Sequence, residues 1–326
     1  MKANRADAAP AERRRPLIAE VKRNALDDGP GIRTTIFFKG CPLRCVWCHN
    51  PETKDPGPEI LRVKAECLRC GRCVRACPTG AMGARVAPPA GAAAPPARDP
   101  ALCRACGRCV EACPGRGVQL VGRYHEPEEL AALAALDLPF FRNSGGGVTL
   151  SGGEPTLYPE FAEGLLLALR ARGVAVLLET CGYFAWPVFA RRLLPHLDAV
   201  YYDLKLADPS AHRRYTGRDN RLILDNLRRL ADRAAGRRGA PSTGPRLLVR
   251  VPLVPGITAT RENLEGLAGL LRELGLGEVA LLPYNPLWLS KAEGLGQAPA
   301  YGRAEWMTPA EERECAEAFR GFRIVK

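Results

Sequence analysis

The stretch FFKGCPLRCVWCHNPE, residues 37–52, places Cys41, Cys45 and Cys48 close together, with Trp47 directly before the third cysteine. A cubane iron–sulfur cluster takes four ligands, and the spacing C-x3-C-x2-C supplies only three of them. One iron of such a cluster stays open to a substrate or cofactor, in the way that catalytic zinc keeps a vacant position. The alternative is an ordinary electron-transfer cluster with a distant fourth ligand, for which the sequence offers Cys181, Cys315 or His49.

The next cysteine-rich region is an internal duplication. The pattern C-x2-C-x2-C-x3-C-P occurs as CLRCGRCVRACP at 67–78 and again as CRACGRCVEACP at 103–114. Bacterial ferredoxins have this spacing, and the fourth cysteine of each run ligates the other cluster. Structural zinc, the alternative, normally joins two separated C-x2-C pairs. The spacing predicts two [4Fe-4S] clusters, one on Cys67, Cys70, Cys73 and Cys113 and the other on Cys103, Cys106, Cys109 and Cys77.

The rest of the chain alternates strand and helix patterns. Strands are predicted at 33–40, 146–150, 174–179, 199–205, 246–253 and 278–284, and the clearest helical patterns are at 159–173, 220–234 and 260–275. Such alternation predicts an α/β fold with right-handed parallel crossovers. Six units form either an open sheet or an incomplete barrel, and in both the chemistry lies at the carboxyl ends of the strands.

Composition narrows the class of protein. The formal net charge is +12, but the arginines are scattered singly and in pairs, so nucleic-acid binding is not predicted. Residues 1–17 form a predicted flexible tail without a secretion signal, and no apolar run is long enough to cross a membrane. A cytoplasmic location and a monomer are expected. Thirteen cysteines in a reducing compartment indicate metal binding more than disulfides, with Cys181 and Cys315 left over as small hydrophobes.

The longer segment DDGPGIRTTIFFKGCPLRCVWCHNPE, residues 27–52, resembles the signature of the glycyl radical enzyme activating enzymes, a pyruvate formate-lyase activating enzyme-like branch of the radical SAM superfamily. The resemblance covers nearly all of the chain after about residue 18. It implies a partial (β/α)6 TIM-like barrel of the radical SAM type at 18–57 and 119–326. A ferredoxin-like dicluster insert at 58–118 interrupts this barrel, which brings the number of [4Fe-4S] clusters to three.

The resemblance also implies the cofactor site. S-adenosylmethionine would bind the open iron through its amino and carboxylate groups, with Gly152, Gly153 and Glu154 of SGGEP near the amino group. Lys205 and Arg250 would face the carboxylate. A monovalent cation beside it could be held by Glu179, Thr180 and Asp203. The further cofactor-binding residues expected are Trp47 and Asn285.

Asn285 marks a departure from the family pattern. Many relatives have a histidine in an LPYH motif, where this chain reads LPYN. Asparagine forms hydrogen bonds but does not titrate, so a general acid or base role is not expected there. The segment could instead contact a partner protein, with Trp288 and Leu289 as candidate contacts and core packing as the alternative.

The function implied by the resemblance is reductive cleavage of S-adenosylmethionine to methionine and a 5′-deoxyadenosyl radical. The radical abstracts a hydrogen atom from a glycine of a partner glycyl radical enzyme. A low-potential donor such as flavodoxin or ferredoxin would supply the electron through the insert. Two alternatives are a radical SAM enzyme acting on a small molecule or another peptide, and a non-catalytic iron–sulfur electron carrier.

Overall fold

The structure is a computed structural model that describes residues 15–83, 98–235 and 244–325. Most of the predicted tail, residues 1–14, and most of the Pro- and Ala-rich segment between the cysteine runs lie outside the described residues. The strands are β1 (Ile18–Ala25), β2 (Arg33–Phe38), β3 (Glu59–Arg62), β4 (Val118–Val121), β5 (Gly147–Gly152), β6 (Val176–Thr180), β7 (Ala199–Asp203), β8 (Arg246–Leu253), β9 (Glu278–Pro283) and β10 (Arg323–Val325). The helices are α1 (Arg72–Arg75), α2 (Arg108–Glu111), α3 (Pro127–Ala135), α4 (Leu138–Ser144), α5 (Pro159–Arg170), α6 (Trp186–Arg192), α7 (Pro209–Thr216), α8 (Arg221–Ala234), α9 (Arg261–Glu273), α10 (Trp288–Gly294) and α11 (Pro309–Glu317).

Eight strands form the main sheet in the order β1-β2-β5-β6-β7-β8-β9-β10. The six predicted strands are β2 and β5 to β9, and each pairs in parallel with the next. The predicted α/β class and partial barrel are therefore confirmed. Two further strands of this sheet were not predicted: β1 pairs antiparallel with β2, and β10 extends the other edge in parallel with β9.

β5 and β6 are buried along nearly their whole length, which is typical of parallel strands covered on both faces. In β7, buried residues alternate with partly buried ones. The predicted helices correspond to α5, α8 and α9, and each presents an apolar stripe to the sheet, with Leu165, Leu227 and Leu267 fully buried. Because β2, β5, β6 and β7 are parallel, the loops that follow them lie at one edge of the sheet. None of the described helices is long and apolar enough to cross a membrane.

The duplicated cysteine runs lie between β3 and β4, which form a separate antiparallel ribbon. In each copy a short helix, α1 or α2, follows a glycine in the left-handed region, Gly71 (φ 70°) or Gly107 (φ 81°). A second, small core of Ile60, Cys73, Met82, Cys109 and Val118 packs inside this unit. The β3–β4 pairing extends to Val121, and the predicted boundaries of the insert at 58 and 118 stay a prediction.

Candidate active site

A cavity opens at the carboxyl ends of the parallel strands. It is lined by predicted site residues from five separate segments: Cys41, Cys45, Trp47, Cys48, Gly152, Gly153, Glu179, Thr180, Asp203, Lys205 and Arg250. Two predicted residues, Glu154 and Asn285, do not line it. The arrangement follows from the topology, because parallel strands present their carboxyl ends at one edge.

The cysteine loop is held at its two ends by backbone hydrogen bonds. Gly40 N donates to Thr53 O (2.7 Å), which closes the loop on itself. Arg44 N donates to Thr216 O (2.7 Å), so the loop is also bonded to the last residue of α7. The Arg44 guanidinium donates to Cys41 O (2.9 Å) and Lys54 O (2.8 Å). These contacts fix the positions of the three cysteines without using their thiols.

The glycines of SGGEP are required by the close approach of two strand ends. A Cβ on Gly153 would overlap the carbonyl oxygen of Gly40, and Gly152 has φ 102°, which side chains rarely adopt. Glu154 N donates to Gly40 O (2.8 Å) in the same crossing. The turn therefore lies directly against the start of the cysteine loop.

A buried charge network lies on the opposite wall of the cavity. Arg250 bridges two carboxylates, pairing with Glu179 and donating to Asp203 Oδ1 through Nε (2.9 Å). Lys205 Nζ lies 3.2 Å from Asp203 Oδ2, and Ser151 Oγ donates to Glu179 Oε2 (2.5 Å). The network joins the ends of β5, β6, β7 and β8.

The pKa values of Glu179 and Asp203 are shifted in opposite directions. Burial raises the pKa of Glu179, and the Arg250 and Ser151 contacts only partly oppose it. Burial also acts on Asp203, but the two cations Arg250 and Lys205 outweigh it and lower the pKa of Asp203. Burial opposes the charge of Lys205 and Arg250, yet the neighbouring carboxylates raise the pKa of both. The cavity thus holds two fixed cations at neutral pH.

The three loop cysteines fit an iron–sulfur cluster by their chemistry. Burial raises the pKa of Cys45 to about 12 and that of Cys48 to about 11, so ligation would have to displace a proton from each thiol. Ligation by a cationic cluster removes such protons, and the buried cation Lys205 favours the thiolate of Cys45. Among the described residues, no set of three or more His, Cys, Asp or Glu side chains converges tightly enough to hold a single metal ion.

Glu154 has structural partners of its own. Its carboxylate is fully buried and accepts from Thr156 Oγ1 (2.7 Å), Thr180 Oγ1 (2.9 Å) and Cys181 N (2.7 Å). It therefore ties the SGGEP turn to the loop after β6. Its contact with the amino group of S-adenosylmethionine stays a prediction.

The segment after β9 turns away from the cavity. Asn285 is half-buried and accepts from Leu287 N (3.3 Å). Trp288 is 3% exposed and donates from Nε1 to Tyr284 Oη (3.2 Å), so core packing, not a surface contact, is its role. Leu287, at 63% exposed, is the large apolar side chain that this segment presents to solvent. The cofactor-binding role of Asn285 stays a prediction.

Ser151, His49 and Cys181 line the cavity but were not predicted as cofactor contacts, although His49 and Cys181 were considered as fourth cluster ligands. Ser151 Oγ donates to Glu179, as described. His49 lies beside Cys48, and its buried Nε2 has no hydrogen-bond partner among the described residues. Interaction between the Cys41 and Cys181 thiols lowers the pKa of Cys41 and raises that of Cys181. Each lies within or next to a motif already identified in the sequence, and this proximity is the sequence feature that could have indicated a position in the cavity.

The insert forms two further cysteine-lined hollows. One is lined by Cys67, Cys70, Cys73 and Cys113, and the other by Cys77, Cys103, Cys106 and Cys109. Each hollow therefore takes three cysteines from one run and the fourth from the other run. This grouping supports the predicted ligand sets, which stay a prediction.

Contacts between the insert and the barrel run through β3 and α10. The buried Lys39 Nζ donates to Glu59 Oε2 (2.9 Å) at the start of β3. At the other end of the ribbon, Lys64 pairs with Glu293, and Gly294 lies directly against Arg62 O. Lys291 of α10 also donates to Glu52 Oε1 (2.6 Å), just after the cysteine loop.

Three family models match the chain. The radical SAM superfamily matches residues 103–260, a 4Fe-4S dicluster domain matches 66–118, and a 4Fe-4S single cluster domain matches 27–75. The dicluster match coincides with the two hollows, and the single-cluster match includes the three-cysteine loop.

Several activating enzymes are similar over most of their length. The indoleacetate decarboxylase activating enzyme of Tractidigestivibacter scatoligenes is 35% identical and covers 86% of each chain. The benzylsuccinate synthase activating enzyme of Thauera aromatica is 38% identical over 91% of this chain and 87% of the relative. The pyruvate formate-lyase 2-activating enzyme of Escherichia coli K12 is 33% identical over 92% and 89%. The crystal structure of QueE from Escherichia coli aligns with 95% of this chain and 92% of that one, at 15% identity and a TM-score of 0.45.

Proposed function

The chain belongs to the glycyl radical enzyme activating enzymes of the radical SAM superfamily, and from this membership we propose which of its residues carry the activity. The protein is an S-adenosylmethionine-dependent oxidoreductase with iron–sulfur clusters. It cleaves S-adenosylmethionine reductively and generates a radical on a glycine of its partner enzyme. The observation that carries the assignment of residues is the single cavity shared by the three-cysteine loop, the SGGEP turn and the Arg250 network.

Cys41, Cys45 and Cys48 would hold the cluster, and these three ligands would leave a coordination position for S-adenosylmethionine. When bound, the cluster and S-adenosylmethionine supply the electron acceptor and the radical chemistry, and the protein supplies position and charge. Lys205 and Arg250 attract the methionine carboxylate, because both are buried cations facing the cavity. Trp47, Gly152 and Gly153 shape the wall against which the rest of the cofactor lies.

A monovalent cation beside the carboxylate is the finer part of this proposal. Glu179, Thr180 and Asp203 are its candidate ligands, and all three line the cavity. In the structure the two carboxylates already pair with Arg250 and Lys205. We therefore expect a cation to bind only together with S-adenosylmethionine, when the cofactor carboxylate draws the two side chains away. Equal S-adenosylmethionine affinity in potassium and in choline buffers would remove the cation from the proposal.

The insert supplies two more [4Fe-4S] clusters, one in each hollow. We expect about twelve irons per chain, from three cubanes of four. Clusters of this type reach about −400 mV and lower, the range required for an electron from flavodoxin or ferredoxin. Iron and sulfide analysis of the anaerobically reconstituted protein tests the count, and four irons alone would remove the relay. The insert at 58–118, a cytoplasmic location and a monomeric state belong to the same proposal.

The partner is a glycyl radical enzyme whose metabolic substrate is left open. The relatives are named for partners as different as indoleacetate decarboxylase and benzylsuccinate synthase. A glycyl radical enzyme encoded beside this chain is the first to test. The small-molecule alternative and the simple electron carrier are not favoured, because the relatives are named as activating enzymes of other enzymes.

The decisive experiment separates cofactor cleavage from radical transfer. The reconstituted protein is incubated with S-adenosylmethionine and dithionite, and 5′-deoxyadenosine and methionine are quantified. The candidate partner is then added, and the glycyl radical is measured by electron paramagnetic resonance. Absence of 5′-deoxyadenosine from a protein with full iron content would overturn the proposed function, and Cys45→Ala serves as the inactive control.

A further inference from the structure

The duplicated insert is symmetric in its cysteines but not in its charge. Each copy exposes its second cysteine, Cys70 or Cys106, and buries its third. The equivalent eight-residue segments are LRCGRCVR at 68–75 and RACGRCVE at 104–111. The first has three arginines and no acidic residue (+3), and the second has two arginines and one glutamate (2 − 1 = +1). The two copies thus keep the same ligands and differ in charge around them.

The arginines of the first copy are available to a partner. Arg69, Arg72 and Arg75 are exposed, and none of them forms an ion pair with another residue in the described parts of the chain. The Arg75 guanidinium lies over the loop of Cys70, since a Cβ on Gly71 would be 3.4 Å from its Nη1. At the equivalent Gly107, no atom of the described residues lies within 4 Å of such a Cβ. The glycine after Cys70 therefore has a guanidinium against it, whereas the glycine after Cys106 does not.

Apolar side chains lie among these arginines. Leu68 is 67% exposed and Val74 is 38% exposed. Leu68 is replaced by Arg104 in the second copy, and Val110, the counterpart of Val74, is half-buried. Protein interfaces combine a small apolar centre with arginine and a polar rim. The first copy has this composition, centred on an exposed cluster ligand.

We propose that the Cys70 surface, made of Leu68, Arg69, Arg72, Val74 and Arg75, docks a small acidic electron-carrier protein. The proposal rests on the function of the insert as an electron relay. The carrier is oxidised by one electron and the cluster of Cys67, Cys70, Cys73 and Cys113 is reduced by one, without bond making or breaking. An acidic carrier is favoured because opposite charges steer encounter and fix orientation. The exposed Cys70 thiolate then brings the cluster close to the carrier.

The test compares charge reversal at the two copies. The triple variant R69E/R72E/R75E changes the Cys70 surface, and the double variant R104E/R108E changes the equivalent positions around Cys106. Reduction of the clusters by an acidic flavodoxin is followed by stopped-flow absorbance at low ionic strength. We expect the second-order rate constant to fall about tenfold or more in the triple variant, since electrostatic steering contributes factors of 10 to 1,000. The double variant should lose less than about threefold, and high salt should reduce both differences.

Dithionite needs no docking surface and separates this proposal from the proposed function. Both variants should keep wild-type iron content, dithionite-driven 5′-deoxyadenosine formation and glycyl radical formation. The neutral variant R69Q/R72Q/R75Q should show an intermediate rate and guards against a folding defect from the added glutamates. Equal rates in wild type and triple variant, or equal losses in both reversal variants, would overturn the Cys70 surface. Loss of dithionite-driven glycyl radical formation in the triple variant alone would assign the surface to the partner enzyme instead.

Discussion

The three-cysteine loop and the duplicated insert use the same ligand in opposite surroundings. The loop cysteines lie at the rim of the parallel strands, beside two buried cations and two carboxylates. In the insert, each hollow is lined by four cysteines, one of them exposed, and none of its described lining residues is acidic. A closed set of four ligands near the surface suits electron transfer, whereas an open set of three beside fixed charges suits binding of a charged cofactor.

The largest effects are expected when a cluster-binding cysteine is replaced, in the three-cysteine loop or in the insert. Cys45→Ala should abolish 5′-deoxyadenosine formation, because an iron of the catalytic cluster loses a ligand, and about eight irons should remain in the insert. Cys70→Ala should instead slow electron delivery and lower the stability of the insert, because ligation and folding are coupled there. Iron analysis and product quantification on both variants provide the measurement. Loss of all twelve irons from Cys45→Ala would show that the two regions do not load independently.

The second prediction compares arginines in the two regions. Arg250→Ala leaves Glu179 and Asp203 without their shared cation in a buried site, which destabilises the protein by about 3–5 kcal/mol. It should also weaken S-adenosylmethionine binding. Arg75→Ala, at an exposed and unpaired position, should change the free energy of unfolding by less than about 0.5 kcal/mol. Anaerobic denaturant unfolding gives both values, and a similar small change at both positions would contradict the buried network.

The third prediction concerns the contact between the two regions. Lys39→Met removes a fully buried ammonium that bonds Glu52 O and pairs with Glu59. We expect a loss of about 1–3 kcal/mol, limited because burial already raises the pKa of Glu59 and lets it take a proton. Lys291→Met removes a more exposed pair with Glu52 and should cost only about 0–1 kcal/mol. Faster hydrogen exchange in β3 and β4 of Lys39→Met, but not of Lys291→Met, would support this contact as the main attachment.

The fourth prediction lies outside both regions, at a buried carboxylate that joins β1 and β2 to the start of α4. Asp137 is buried and accepts from Arg23 Nε (2.9 Å) and Thr34 Oγ1 (2.7 Å). The Arg23 hydrogen bond, with the Thr34 contact, lowers the pKa of Asp137 despite burial. Asp137→Asn should cost about 1–2 kcal/mol, since hydrogen bonds to a charged group contribute roughly this amount.

The pH dependence of that variant has a definite sign. A carboxyl whose pKa is lowered on folding stabilises the protein above its unfolded pKa of about 3.9, and this stability is lost as pH falls through the folded pKa. The difference between wild type and Asp137→Asn should therefore be constant between pH 8 and pH 6. A difference that vanishes toward pH 6 would show that Asp137 has no such depressed pKa.

Much of the fold could be predicted from the sequence because strand and helix patterns alternate along the chain. The Leu- and Val-rich segment 246–253 lies between two such helical patterns, and β8 has the predicted bounds. β1 was missed because it lies at an edge and alternates with charged residues such as Glu20 and Lys22. β10 has three residues and no apolar pattern that separates it from a chain end.

Part of the candidate site could likewise be predicted from the sequence, and part could not. The cysteine, glycine and acidic motifs follow strands, so the parallel topology alone brings Cys41, Gly153 and Asp203 to one rim. The partners of Glu154 could not be read from the sequence, because they depend on how the turn crosses the loop after β6. Burial of Trp288 likewise depends on the packing of α10, since one tryptophan in a loop pattern suits either a surface or a core.

The pairing of β3 with β4 also makes the insert a removable module. Glu59 and Val121 are partners in the ribbon, so the chain leaves the barrel and returns to it at one place. A tight turn joining these two positions would shorten the protein by the whole dicluster unit and leave the order of the parallel strands unchanged. Such a miniature should bind one cluster and cleave S-adenosylmethionine with dithionite, while depending on a foreign or chemical reductant. In evolutionary terms, gain or loss of the relay at this position would be a splice between adjacent points, open to exchange among lineages with different electron carriers.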